Sequence, residues 1–172
     1  ALLISQEKAL LVTDGRYLRQ AETQTSLEVV EQGSDGLVKT VKRLFLSWGI
    51  KKAALEHRSI SYSLALSLGG EDSPDWIDGS SLVEDLRREK TESEAGLIAR
   101  AAEICSAGLG EVLPAIRPGV TEREISARLE CAIRLNGAEN TWGDHEFIVA
   151  SGLRSVLPHG TPTDKPLEGG EW

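Results

Sequence analysis

Residues 2–17 read LLISQEKALLVTDGRY. Two apolar runs, Leu2–Ile4 and Ala9–Thr13, flank the polar tetrapeptide Ser5-Gln6-Glu7-Lys8. That layout predicts a β-hairpin. Asp14-Gly15 closes the second strand, and the spacing of Tyr17, Leu18 and Ala21 suits a helix over Arg16–Thr25. A third strand follows at Leu27–Val30. After the turn Gly33–Gly36, with Ser34 and Asp35 as N-cap candidates, Leu37, Val41, Leu44, Phe45 and Trp48 line one face of a second helix, which Gly49 caps. A strand at Lys51–Glu56, a weakly amphipathic helix at Ser59–Leu68 and a short edge strand at Asp75–Asp78 continue the alternation. Alternating strands and helices predict an α/β layer structure for the first eighty or so residues.

The character changes near Leu82. Leu82–Lys90 is charged and reads as a linker, which puts the domain boundary near residue 85. The two domains are then 1–85 and 86–172. Thr91 and Glu94 form a capping box in front of a long helix. Its predicted apolar stripe is Leu97, Ile98, Ala101, Ile104, Cys105, Leu109, Val112 and Leu113. Gly108 and Gly110 either weaken this helix or let another element approach closely. Thr121 and Glu124 form a second capping box, for a helix that turns Ile125, Leu129, Ala132 and Ile133 inward and stops at Asn136-Gly137. Phe147–Ala150 has the apolar composition of a strand, Ser151-Gly152 breaks it, and a brief run at Val156-Leu157 leads into Pro158-His159-Gly160. The second domain is therefore expected to be α+β.

The bulk properties narrow the function. The chain has 172 residues and a formal net charge of −8. With no Lys/Arg-rich run, that charge argues against nucleic-acid binding. No apolar stretch reaches the roughly 20 residues a membrane-spanning helix needs, and the visible start carries no signal-peptide pattern. Cys105 and Cys131, isolated and inside helical patterns, read as buried reduced thiols of a cytoplasmic protein. Chain ends that fall in strand-like sequence suggest a piece of a longer protein, lacking the start of the first domain and the end of the second.

The chemistry-bearing residues are few. His57 reads as a surface or capping residue. Asp144-His145-Glu146 is rich in ligand types, but neighbours on an extended strand point to opposite faces and do not converge on one ion. No glycine-rich phosphate loop and no Gly-x-Ser-x-Gly elbow is present. Most carboxylates lie at helix starts or on exposed faces, where capping and solubility account for them. His159 is different, because Pro158 restricts the backbone before it and Gly160 leaves room beside it. The tripeptide suits an imidazole at the edge of a cleft, although local chemistry alone favours a solvent-exposed loop His. Ser151 and Ser155 lie nearby without an identifiable orienting acid.

Several motifs together resemble the creatinase/prolidase/aminopeptidase P family. They are Thr13-Asp14-Gly15-Arg16-Tyr17 with Gln20-Ala21; Leu86-Arg87 and Lys90–Glu94 with Ile98 and Ala101–Ile104; Arg117–Glu122 with Glu124-Ile125; Gly137-Ala138-Glu139; Ile148–Gly152; and Leu157–Gly160. They occur in the family's order and span nearly the whole chain. The resemblance implies an α/β N-terminal creatinase-like domain followed by the start of an α+β pita-bread catalytic domain. It further implies an Xaa-Pro aminopeptidase or dipeptidase acting on proline-containing peptides, with two divalent metal ions (manganese, cobalt or zinc), sometimes as a homodimer or tetramer. In that family the histidine corresponding to His159 binds substrate or stabilises the tetrahedral intermediate and is not a metal ligand. The metal ligands fall after this motif, beyond Trp172, so no residue of this chain is assigned to metal and the chain alone is expected to be inactive. Asn140–Phe147 departs from the family pattern, which leaves substrate preference open. A metal-free creatinase-like amidinohydrolase and a non-catalytic peptide- or protein-binding relative remain as alternatives.

Overall fold

A computed structural model describes residues 1–71, 73–140 and 147–171. The chain forms two compact units, Ala1–Glu89 and Lys90–Trp172.

The first unit opens with the expected hairpin: β1 (Leu2–Ile4) pairs antiparallel with β2 (Ala9–Thr13), Leu3 opposite Leu10. Helix α1 (Leu18–Gln24) carries the chain over to β3 (Glu28–Glu31), which lies parallel to β2. Helix α2 (Gly36–Ser47) leads to β4 (Lys52–Leu55), and α3 (Tyr62–Leu68) to β5 (Asp75–Asp78), parallel to β4. The strands form a three-stranded sheet, β1-β2-β3, and a two-stranded sheet, β4-β5. Alternation along β2 buries Leu10 and Val12 beside Leu3, Val41 and Leu68. Each such side chain contributes about 1.5–3 kcal/mol of transfer free energy. Around this core pack Leu37, Leu44, Phe45, Trp48 and Trp76, with Phe45 edge-on to both tryptophans. Gly49, at φ +66°, ends α2 in the left-handed conformation that glycine adopts without penalty.

Two expectations for this unit need correction. Leu82–Lys90 is not a linker: Leu82–Arg88 forms a helix, α4. Its charges are ordered, Glu84 and Asp85 in the first turn and Arg87 and Arg88 in the last, which complements the helix dipole. A high charge density signalled exposure, and exposure does not exclude a helix. Tyr17 does not join Ala21 on the buried face of α1 but lies about half exposed, with the Arg16 guanidinium over its ring.

The second unit begins with α5 (Glu92–Val112), capped by Thr91 and Glu94. A short 3-10 turn, Leu113–Ala115, precedes α6 (Glu122–Leu135). Both capping boxes form as the sequence predicts. The helices meet where Gly108 faces Ile133, and a Cβ on Gly108 would lie 2.7 Å from Ile133 Cγ1 and 3.1 Å from its backbone nitrogen. Close approach is thus the reason for Gly108, whereas a Cβ on Gly110 would meet nothing within 4 Å. Gly108→Ala gains about 1 kcal/mol of helix propensity but overpacks against a backbone that cannot move aside. We expect a net loss of about 1–2 kcal/mol in urea unfolding.

The rest of this unit departs from the sequence expectations in four places. Leu97 and Ile98 of the predicted stripe are exposed, and only Gly108 and Val112 of α5 are buried. Helical periodicity marks an apolar face but not what covers it. Cys105 and Cys131 are exposed free thiols, because the buried face of α6 is Ile125, Ala132 and Ile133 and burial on α5 is confined to its last turns. Phe147–Ala150 forms no strand, since no neighbouring backbone among the described residues offers it a ladder. Val156 belongs to a 3-10 turn, Gly152–Val156, instead of an extended run. No helix among the described residues is long and apolar enough to cross a membrane.

Candidate active site

His159 occupies a four-residue turn closed by a hydrogen bond from Gly160 N–H to Leu157 C=O, 3.2 Å. Proline at the second position of such a turn supplies the backbone angle it requires. Gly160 itself is buried, and a Cβ there would sit 3.2 Å from Ala150 Cβ and from Leu157 Cβ. A side chain there would crowd the turn against its own flanks. The His159 side chain is exposed. Together with Arg154, Leu157, Pro158 and Thr161 it lines an open depression of about 390 Å³.

On either side of this turn, Ser151, Arg154 and Thr163 bind one carboxylate, which sequence reasoning assigned to capping or solubility. Glu122, the first residue of α6, is fully buried. Its Oε1 accepts hydrogen bonds from Ser151 N–H (2.8 Å) and Ser151 O–H (3.1 Å). Its Oε2 accepts from Arg154 Nε–H (3.1 Å), Thr163 N–H (3.0 Å) and Thr163 O–H (2.7 Å). Burial alone would push this carboxyl up, but the hydrogen bonds from Thr163 and Ser151 outweigh it and hold the group down at about 2.

The backbone around Glu122 is equally committed. Glu122 N–H donates to Lys165 C=O and Arg123 N–H to Thr163 C=O, while Gly119 and Leu167 N–H bond Leu167 and Val120 C=O. Residues 163–167 therefore run alongside the entry to α6 and satisfy N–H groups that a helix start otherwise leaves open. Lys165 Nζ donates to Ser151 Oγ (3.1 Å) and pairs with Glu171 (2.5 Å). The Lys165 hydrogen bond in turn holds the Glu171 carboxyl below its usual range. Gly152 adopts φ +57°, and a side chain there would overlap the Glu171 carboxylate.

His57 is a surface residue whose Nδ1 lies 3.3 Å from Asp78 Oδ1. Asp78 is held at about 2 chiefly by hydrogen bonds from Ser80, with His57 a smaller contributor. Asp144, His145 and Glu146, and with them most of the Asn140–Phe147 loop, lie outside the described residues. Ser155 is exposed, and Ser151 is committed to Glu122 and Lys165, so neither forms a Ser–His pair among the described contacts. No three His, Cys, Asp or Glu side chains among the described residues are grouped so that they could hold a metal ion.

Comparison with known proteins covers both units. The Creatinase/Prolidase N-terminal domain profile matches residues 1–88, and that of Metallopeptidase family M24 matches residues 96–172. An uncharacterized peptidase, YqhT, of Bacillus subtilis is 34% identical over 98% of this chain and 48% of its own length. The Xaa-Pro dipeptidase of Pyrococcus horikoshii is 30% identical over 99% of this chain and 46% of its own. Among solved structures, an Xaa-Pro dipeptidase from Bacillus anthracis superposes with a TM-score of 0.89 at 39% identity, covering 99% of this chain and 47% of that one. An X-Pro aminopeptidase from Thermotoga maritima superposes with a TM-score of 0.83 at 38% identity, with the same coverage. The chain thus spans about half the length of the relatives it matches.

Proposed function

Since the chain belongs to the creatinase/prolidase family of M24 metallopeptidases, we propose that the protein containing it hydrolyses the peptide bond before proline, as an Xaa-Pro dipeptidase or aminopeptidase. The observation that carries this reading is the 39%-identical likeness to a solved Xaa-Pro dipeptidase, which runs through both units and includes the turn that bears His159. The second unit is read as the start of a pita-bread catalytic domain. Within it, His159 lies at the rim of an open depression, where its ring N–H can donate to oxygen that gains charge during attack on the scissile carbonyl.

Membership of a metallopeptidase family implies divalent ions, which we take to be manganese, cobalt or zinc. The described residues do not fit such a centre, because no group of three ligand-type side chains is assembled among them. Its ligands are therefore assigned to residues other than those described. We also assign the protein to the cytoplasm, a reading supported by two free thiols, and to a homodimer or tetramer, which light scattering on the whole protein checks.

The test is direct. The whole protein is assayed on Xaa-Pro dipeptides and on longer peptides with proline second, before and after exhaustive chelation. We expect hydrolysis that disappears with the metal and returns when a divalent ion is restored. Full activity in excess chelator would overturn the metallopeptidase reading. Turnover of creatine instead of peptides would replace it with an amidinohydrolase.

A further inference from the structure

The loop that carries His159 leaves the body of the second unit at Ser151 and returns at Thr163. Both ends are fastened to the same carboxylate. Ser151 donates its N–H and O–H to one oxygen of Glu122, and Thr163 donates its N–H and O–H to the other. Arg154 ties the interior of the loop to that point, with Nε on Glu122 and Nη2 on Thr161 C=O at 2.7 Å. Thr161 lies two residues past His159, and Arg154 and Thr161 both line the depression that His159 lines. A chain segment bound at both ends and braced across its middle has few conformations left to it. Glu122 is fully buried at the head of α6, so its own position is set by the helix.

We propose that Glu122 is a positioning residue for His159: it closes the base of the 151–163 loop and thereby fixes the turn that presents the imidazole. The proposal rests on the reading of His159 as a substrate-facing residue. Glu122 touches neither the depression nor His159, and it acts only through Ser151, Arg154 and Thr163.

Glu122→Gln tests this in the whole, metal-loaded protein. Glutamine keeps the volume, but its amide nitrogen cannot accept hydrogen bonds, so some of the five donors lose their partner. The expected result is faster amide hydrogen exchange across residues 151–163, with exchange in the first unit unchanged. A misplaced catalytic group mainly weakens transition-state contacts, so kcat should fall about 10- to 100-fold while KM changes little. Adding Glu122→Gln to His159→Ala should then cost no further kcat, because there is no imidazole left to misplace. Metal content should match the wild type. Gly108→Ala, which loosens the same unit away from the loop, should leave loop exchange and kcat unchanged at temperatures where it is folded.

Wild-type loop exchange in Glu122→Gln would overturn the proposal. So would a kcat loss in that variant that persists in full on the His159→Ala background, or one that Gly108→Ala reproduces. If His159→Ala alone keeps full activity, the reading of His159 has failed instead. In that case loop exchange alone decides whether Glu122 is the clamp.

Discussion

Replacing His159 with alanine is expected to lower kcat of the whole protein about 100- to 1000-fold on Xaa-Pro substrates, the range for deleting one donor to a developing oxyanion. Metal content, measured by elemental analysis, should not change. The two halves of this expectation are separable in the structure. His159 is exposed on a turn held through backbone bonds by Leu157 and Gly160, so truncating it removes a ring and leaves the loop intact. Among the described residues it belongs to no group of three ligand-type side chains that could hold an ion. Loss of metal in the variant would show that the imidazole is a ligand. Unchanged kcat would remove His159 from the chemistry altogether.

Glu122→Ala should be the most destabilising single truncation in the second unit, at about 3–5 kcal/mol, the cost of breaking one side of a buried charged network. Arg154, Ser151 and Thr163 would all lose their shared acceptor. Against a typical stability of about 5–15 kcal/mol, such a loss leaves little margin. Urea unfolding of variant and wild type measures it, and a loss below about 1 kcal/mol would refute it.

The same carboxylate predicts how stability depends on pH. In the folded protein it titrates at about 2, below the ordinary value of 4.5 that the unfolded chain would show. A depressed folded value means that the unfolded state binds the proton first as pH falls. The stabilisation from Glu122 is therefore complete above about 4.5 and is lost progressively as pH drops toward 2. Wild-type stability should decline through that window, and Glu122→Gln should show a shallower decline there. Equal slopes for the two proteins would count against this account.

Local chemistry in the sequence was enough for much of the architecture. The alternation of apolar runs and turns gives β1 to β5 and the helices between them, because strand and helix periodicities are properties of neighbouring residues. The boxes Thr91–Glu94 and Thr121–Glu124 mark two helix starts to the residue, since every group in such a box lies within one turn. The motifs around Asp14, Arg117 and His159 were sufficient to recognise the family to which the chain belongs.

Burial and partnership were another matter, because they depend on groups far apart in the chain. Periodicity drew an apolar stripe along α5, yet only its Gly108 and Val112 are covered. Phe147–Ala150 has strand composition, but a strand also needs a neighbour to pair with, and the described residues supply none. Glu122 is the clearest case. Read locally, it is one more acid in the first turn of a helix, and nothing within that turn separates it from Glu124. Its partners lie 29 to 41 residues later. Only when the fold brings Ser151, Arg154 and Thr163 around one carboxylate does a surface-type residue become a buried anchor. The sequence by itself determined most of the strands and helices and both capped helix starts. The tertiary structure alone decided that Ser151, Arg154 and Thr163 gather on Glu122, since hydrogen bonds between distant residues leave no periodic trace in the chain.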